Sequence, residues 1–501
     1  MSRSARRMLS LSILTGAFAA IGLASAAAPA LAVPTTPSAT VAAARAQAKQ
    51  SIHRRSGHVR PAWPATAAHR PKSAIARWLA RQVGPRKPVA CSKRPRNARA
   101  RCRKRKASAA FATSITMRSS IARGGPGASR TEPIALRPSQ PAGSLELIRS
   151  YDIPVDDPSY DRLLNWSWTY DSAVAATAFT SVGLQDQAGR LLDQLAALQA
   201  KDGSIDFAFN VASGESSGEI RAGSVAFAAI AFTDYDSTFG DNRYLDNASR
   251  AADYLLSLRN GDGLVRGGPD VKWVSTQHNI LSVIALSNLA EQFQNNGDDA
   301  DAATYSDAAD GISKGIDSQL LVSGDQLAHF REGVRDNIVP LDTQALGVIY
   351  EAFHKNPDIA KQIFEYAQEN FAIDGRSIQL SKKSASYNMT YQAPGPFSGY
   401  RPYLGKNTPD VLWFEGTAEM RFTSSAVGQP THTLDASMNA WWDVTRPQGL
   451  APLGADRTIT NNPYNEYHVW PTAAAGAWAV LSGAAKDTDW ASPPTALNLL
   501  K

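Results

Sequence analysis

Five carboxylates in this chain stand where acid–base chemistry could be done. Asp171, Glu219, Asp342, Glu415 and Glu466 each lie at or just ahead of an apolar, helix-forming run, beside aromatic or polar side chains. Two carboxyl groups flanking a reacting bond can divide the work: one is kept neutral by burial and delivers a proton, the other is ionised and activates water or attacks. Glu415 is the favoured acid. It lies in the stretch Pro409 to Phe422, directly after Trp413 and Phe414, which would strip solvent from it and raise its pKa, while the positive end of the helix it opens pulls the other way. Asp342 is favoured as its partner, with Asp171 next, because each opens its own helix directly. The competing reading of Glu415 is a helix-dipole role, worth a few tenths to about 1 kcal/mol.

The mouths recur, and the recurrence is what favours chemistry over capping. Six are spaced at roughly helix-hairpin intervals: Trp166 to Asp171, Gly218 to Arg221, Trp273 to Asn279, Pro340 to Gln344, the Glu415 stretch, and Asn465 to Pro471. Each precedes a run that is apolar or small nearly all round, such as Val225 to Phe232 or Ala473 to Val480, the pattern of a helix packed on every side. Between them lie segments with a single apolar stripe. Ala188, Leu191, Leu192, Leu195 and Leu198 form one; Ala248, Ala251, Ala252, Leu255 and Leu258 a second; Ala302, Tyr305, Ala309, Ile312 and Ile316 a third; Ala360, Ile363, Phe364, Ala367 and Phe371 a fourth. Gly/Asp/Asn turns such as Lys201 to Ser204 and Asn260 to Gly263 separate them. Inner and outer helices therefore alternate. Strand signals are sparse, with Ile205 to Phe209 and Gln326 to Phe330 read as small hairpins at the rim.

The chain divides sharply by charge. Residues 1–150 hold 28 Lys and Arg against 2 acids, which leaves 24 against 43 for the rest, so the overall +7 hides a basic arm and an acidic domain. Residues 1–32 read as an export signal: Arg3, Arg6 and Arg7, an apolar run from Met8 to Leu23, then Ala30-Leu31-Ala32. A secreted or envelope-associated protein is expected, by the general secretory or the twin-arginine route. Residues 33–144, rich in Ala, Arg, Pro and Ser, are expected to be a disordered basic linker. The domain is expected to span 145–486 and a tail 487–501. Both cysteines, Cys91 and Cys102, fall in the arm, where a disulfide is permissible in an oxidising compartment. The domain thus has no thiol chemistry. It also lacks a zinc-protease helix, a P-loop and a dinucleotide fingerprint, so neither metal nor cofactor is expected.

The hairpin period, the inner/outer contrast and the aromatic–carboxylate mouths resemble the six-hairpin glycosidase-like superfamily, all-α (α/α)6 barrels, over about residues 150–485. The resemblance implies a funnel at the starts of the inner helices and a glycoside hydrolase in which Glu415 works with Asp342 or Asp171. It implies sugar contacts from Trp168, Tyr170, Arg221, His278, Asn279, Gln344, Trp413, Tyr467 and His468, tryptophan offering a flat face to the C–H side of a sugar ring. The aromatic, Gly/Pro-rich loop Tyr391 to Tyr403 would wall the funnel, and the sixth outer helix would come from residues near Tyr160. The expected partner is a poly- or oligosaccharide, with a further contact of the arm to anionic wall polymers or a membrane surface. Nucleic acid is not expected, and a monomer is. Three alternatives stand beside this: a polysaccharide lyase using His278, Asn279, Arg221 and Tyr467, a terpene-cyclase-like toroid suggested by Leu198 to Ser204 but missing its acidic cluster, and a carbohydrate-binding protein without catalysis.

Overall fold

A computed structural model of the protein describes residues 74–107, 144–353, 356–377, 397–424, 426–429, 432–445, 451–462 and 465–483. Three helices precede the first hairpin: α1 (Ala74–Gln82), α2 (Arg96–Ala107) and the single-turn α3 (Tyr160–Leu163). From there inner and outer helices alternate. The inner set is α4 (Thr169–Ser181), α6 (Ala222–Phe239), α8 (Thr276–Asn296), α10 (Leu341–Phe353), α12 (Phe414–Ser424) and α14 (Ala473–Leu481). The outer set is α5 (Gln185–Leu198), α7 (Leu245–Ser257), α9 (Asp299–Gln319), α11 (Pro357–Phe371) and α13 (His432–Trp442). Each inner helix packs on the next and α14 returns to α4, closing the ring.

Burial explains the alternation. Every residue of α4 from Thr169 to Thr180 is buried, as the small and apolar composition of a helix wrapped on all sides requires. In α5 burial is confined to Ala188, Gly189, Leu191, Leu192 and Leu195, one stripe repeating at helical spacing. The stripes on α7, α9 and α11 fall on the residues their spacing selects. Turn chemistry fixes the corners: α6 and α8 end at Gly240 and Gly297, both in the left-handed region that favours glycine.

Short antiparallel strand pairs trim the ring: β1 (Trp166–Trp168) with β2 (Ala208–Asn210), β3 (Leu321–Val322) with β4 (His329–Phe330), β5 (Val339–Pro340) with β8 (Tyr403–Leu404), and β6 (Ala372–Arg376) with β7 (Phe397–Tyr400). Only β3–β4 matches the expected local hairpins. The Ile205 to Phe209 stretch contributes β2, which pairs back to the segment entering α4.

The arm is where sequence and structure part. Residues 74–107, expected as disordered linker, are folded onto the ring. α1 covers α14, so it supplies the sixth outer helix in place of the segment near Tyr160. Its Ala76, Trp78 and Leu79 are at most 1% exposed. The chain leaving α1 is stitched down by Gly84 N–H to Leu147 O at 3.0 Å and by the Arg149 guanidinium to Gln82 Oε1 at 2.7 Å. Three apolar residues in a nine-residue helix are too few to register against an Arg/Pro/Ala-rich background, yet a helix that is apolar all round, as α14 is, must be covered. Cys91 and Cys102 form a disulfide. The export segment, residues 108–143 and the loop from Tyr391 to Pro396 lie outside the described residues.

Candidate active site

The inner helices begin at one end of the ring, and their second residues form one layer there: Tyr170, Gly223, Gln277, Asp342, Glu415 and Ala474. Side chains of this layer meet across the mouth. The Tyr170 hydroxyl donates to Glu415 Oε1 at 3.0 Å and itself accepts the Trp478 indole N–H at 2.7 Å. The Gln277 amide donates to Asp342 Oδ2 at 3.3 Å, while Asp342 Oδ1 accepts the Thr343 N–H at 2.8 Å. Donors in series thus orient Glu415, and both oxygens of Asp342 accept, as those of a carboxylate do.

The local backbone fixes Glu415. Leu412 N–H is held by the Asp456 carboxylate at 2.8 Å, Trp413 N–H by Tyr400 O at 2.9 Å, and Phe414 N–H by Gly454 O at 3.1 Å. Gly416 is required here: a Cβ would lie 2.5 Å from the Trp413 ring, so glycine is what lets that ring pack on the first turn of α12.

Electrostatics set Glu415 apart. Burial pushes its carboxyl up to about 8, the nearby Asp171 and Asp342 add to the rise, and the Tyr170 hydrogen bond opposes it. Asp171, 8% exposed, is pushed up to about 7 by burial, against the effect of a hydrogen bond with Ser150. One turn below the first layer the equivalent residues are Val174, Phe227, Leu281, Leu346, Glu419 and Trp478. Glu419 is the lone carboxyl of that apolar layer. It is held well above its ordinary range by burial, then by Glu415 and Asp342, and its Oε2 has no hydrogen-bond partner among the described residues. Carboxyl groups crowded in a dry site cannot all ionise together, so protons are shared over the cluster near neutral pH.

The remaining expected residues separate into three groups. Trp168 is nearly buried at the rim, edge-on to Tyr151 with centroids 5.3 Å apart, and Tyr151 is edge-on to Trp470 at 5.8 Å. His468 stacks on Trp470 at 3.7 Å and pairs with Glu466, which also reaches Arg162, so Glu466 is held below its usual range chiefly by His468. Arg221 pairs with Glu219 at 2.8 Å. Trp413 and Tyr467 are buried, and the Tyr467 hydroxyl accepts the Asn465 amide. His278 has no exposed surface and sits 5.4 Å from the Trp273 ring.

Asn279 and Gln344 turn to the backbone. Asn279 exchanges hydrogen bonds with both backbone groups of Val265 and donates to Ser275 O; Gln344 does the same with Phe330 and Pro340. Both N–H bonds of each amide are given to the incoming backbone, so neither side chain has a donor left for a substrate. Each occupies the fourth position of its inner helix, where Ser172 and Thr417 perform the same clasp on Ile148 and Tyr400. That shared register is the signal the sequence offered. Sequence reasoning also passed over Tyr151, Trp478 and Glu419; Glu419 was legible as the residue one turn after Glu415.

No protein-family model matches the sequence, and no curated protein matches it. Among solved structures, a wild-type glycosidase superposes with a TM-score of 0.50 at 13% identity, over 72% of this chain and 94% of that one. The chain carries the (α/α)6 barrel fold. Other likenesses are lower: a bacterial glucoamylase complexed with acarbose at TM-score 0.47 and 17% identity, covering 67% of this chain, and a D-mannose isomerase at TM-score 0.44 and 13% identity, covering 68% of this chain and 91% of that one. This chain spans 51% of the glucoamylase's length.

Proposed function

We propose that the protein hydrolyses a glycosidic bond of a poly- or oligosaccharide, with Glu415 as the proton donor. The carrying observation is the Trp478–Tyr170–Glu415 series at the mouth, beside two further carboxylates. With Glu415 up to about 8, its carboxyl is mostly protonated at neutral pH. Tyr170 occupies Oε1, so Oε2 is the oxygen to carry the proton toward a leaving group. Asp342, with both oxygens accepting, is the ionised partner that activates water or attacks carbon, and Asp171 is the second choice for that role. Of the aromatic group Tyr151, Trp168 and Trp470, the part-exposed Tyr151 is the ring with surface left for a sugar face, the two indoles being buried.

The lyase arrangement loses support, because Asn279 is committed to the backbone and His278 is enclosed. A binding protein without catalysis is separated from an enzyme by product release alone. Export fits this reading and fits the Cys91–Cys102 disulfide, which is at home in an oxidising compartment. The test is a panel of neutral and acidic polysaccharides, read in parallel for new reducing ends and for ultraviolet absorbance of unsaturated products. Reducing ends that vanish in Glu415→Gln support the proposal; unsaturated products, or saccharide binding with no product, overturn it.

A further inference from the structure

Residues 74–107 hold 13 Lys and Arg and no acid, and α2 alone carries seven cations in twelve residues. Such a helix should not stand by itself. Twelve residues are marginal in isolation, and like charges three and four apart repel. The structure shows what holds it. Ala98 and Cys102, four residues apart, turn inward at 3% and 4% exposure, and the disulfide ties Cys102 back to Cys91. The buried Arg94 forks onto both oxygens of Asp161 at 2.9 and 2.8 Å and lies over the Tyr160 ring. Arg101 donates to Asp156 O at 2.7 Å.

These fastenings use one edge of the helix. Arg96, Arg99 and Arg101 remain exposed, and among the described residues none of them is paired with a carboxylate. A fold that leaves three arginines of one helix exposed and without a carboxylate partner among the described residues, on a body whose remaining residues are acidic overall, presents them to an anion outside itself. We propose that α2 is a preformed docking surface for a soluble phosphodiester polymer. Five of its seven cations are arginine, whose planar fork matches a phosphate's oxygens in pairs. The exposed face offers no aromatic or long aliphatic side chain, so it has nothing to insert into a lipid surface and nothing to stack on bases. Because the disulfide and Arg94 have already ordered the helix, docking need not bear that ordering cost.

The experiment uses the full chain and poly(glycerol phosphate) as the probe, with binding followed across a salt series. The expected result is affinity that falls linearly in log–log form with salt. In R96Q/R99Q the slope should shrink by about 1.4, two contacts at about 0.7 each. The same variant should keep its thermal transition, since both side chains are exposed. Two control probes complete it: polygalacturonate, a carboxylate polymer, and phosphatidylglycerol vesicles. An unchanged slope in the double variant, equal retention on polygalacturonate, or retention by vesicles exceeding that by the polymer would each overturn the proposal.

Discussion

Replacing Glu415 by Gln preserves size and the ability to accept from Tyr170 while removing the titrating proton. An ordinary glutamic acid is about 0.3% protonated at pH 7; a carboxyl pushed up to about 8 is roughly 90% protonated, so the site raises the available acid about 300-fold. Removing it should lower kcat by roughly 10² to 10⁴, with KM little changed. The same shift gives a stability signature of defined sign. A carboxyl whose folded pKa lies above its unfolded value binds more protons folded than unfolded, so its stabilising contribution is present below about pH 4.5 and is lost as pH rises through about 8. Glu415→Gln should therefore flatten the fall in stability over that window and melt above the parent at pH 8. The gain should be at least ~1 kcal/mol, or ~2 °C. The assays are steady-state kinetics on whichever polysaccharide the parent cleaves, and thermal denaturation at pH 5 and pH 8. Near-normal turnover together with a lower Tm at every pH would mean that Glu415 merely tempers the helix dipole, and the acid–base argument would fail.

Three further outcomes follow from the same geometry. Tyr170→Phe removes a hydrogen bond that lowers the Glu415 pKa, so the alkaline limb of the kcat/KM profile should move to higher pH, with kcat down about tenfold; an unmoved limb would detach Tyr170 from the acid. In that profile, an acidic limb near pH 7 in the parent would assign the base to Asp171, whose carboxyl burial pushes up to about 7. Asn279→Ala leaves buried backbone groups of Val265 without partners and should cost about 2–4 kcal/mol by chemical denaturation while KM on folded enzyme stays the same. Trp78→Ala should cost about 3–5 kcal/mol, and a chain starting at residue 144 should fail to give a cooperative transition, since either change uncovers α14.

The ring was legible because its two kinds of helix differ in composition: Val225 to Phe232 has no polar stripe, whereas Ala188 to Leu195 has one apolar stripe. The convergence of Asp171, Asp342 and Glu415 followed from that alternation, since residues opening inner helices share one end. What spacing leaves open is direction. Asn279 and Gln344 look the same in sequence whether an amide faces the funnel or turns back to clasp a strand, and His278 looks the same enclosed or open. Trp78 was hidden for a different reason, because composition averaged over a basic stretch conceals one short apolar face. Glu419 was overlooked because a carboxyl one turn inside a helix normally faces water.

The position of α1 also bears on how the protein assembles. Among the described residues α1 is the first helix made and α14 the last, about 390 residues later, yet the two pack together. Bringing ends that far apart into register carries a loop-closure cost of ~5 kcal/mol, repaid only when the final hairpin is in place. Until then α14 has an uncovered apolar flank and the circle is open. Completion of the toroid is therefore a late, all-or-none event. A nascent or truncated chain lacking either end presents a sticky seam rather than a smaller stable domain, which makes this seam the place where chaperones and proteases would act first.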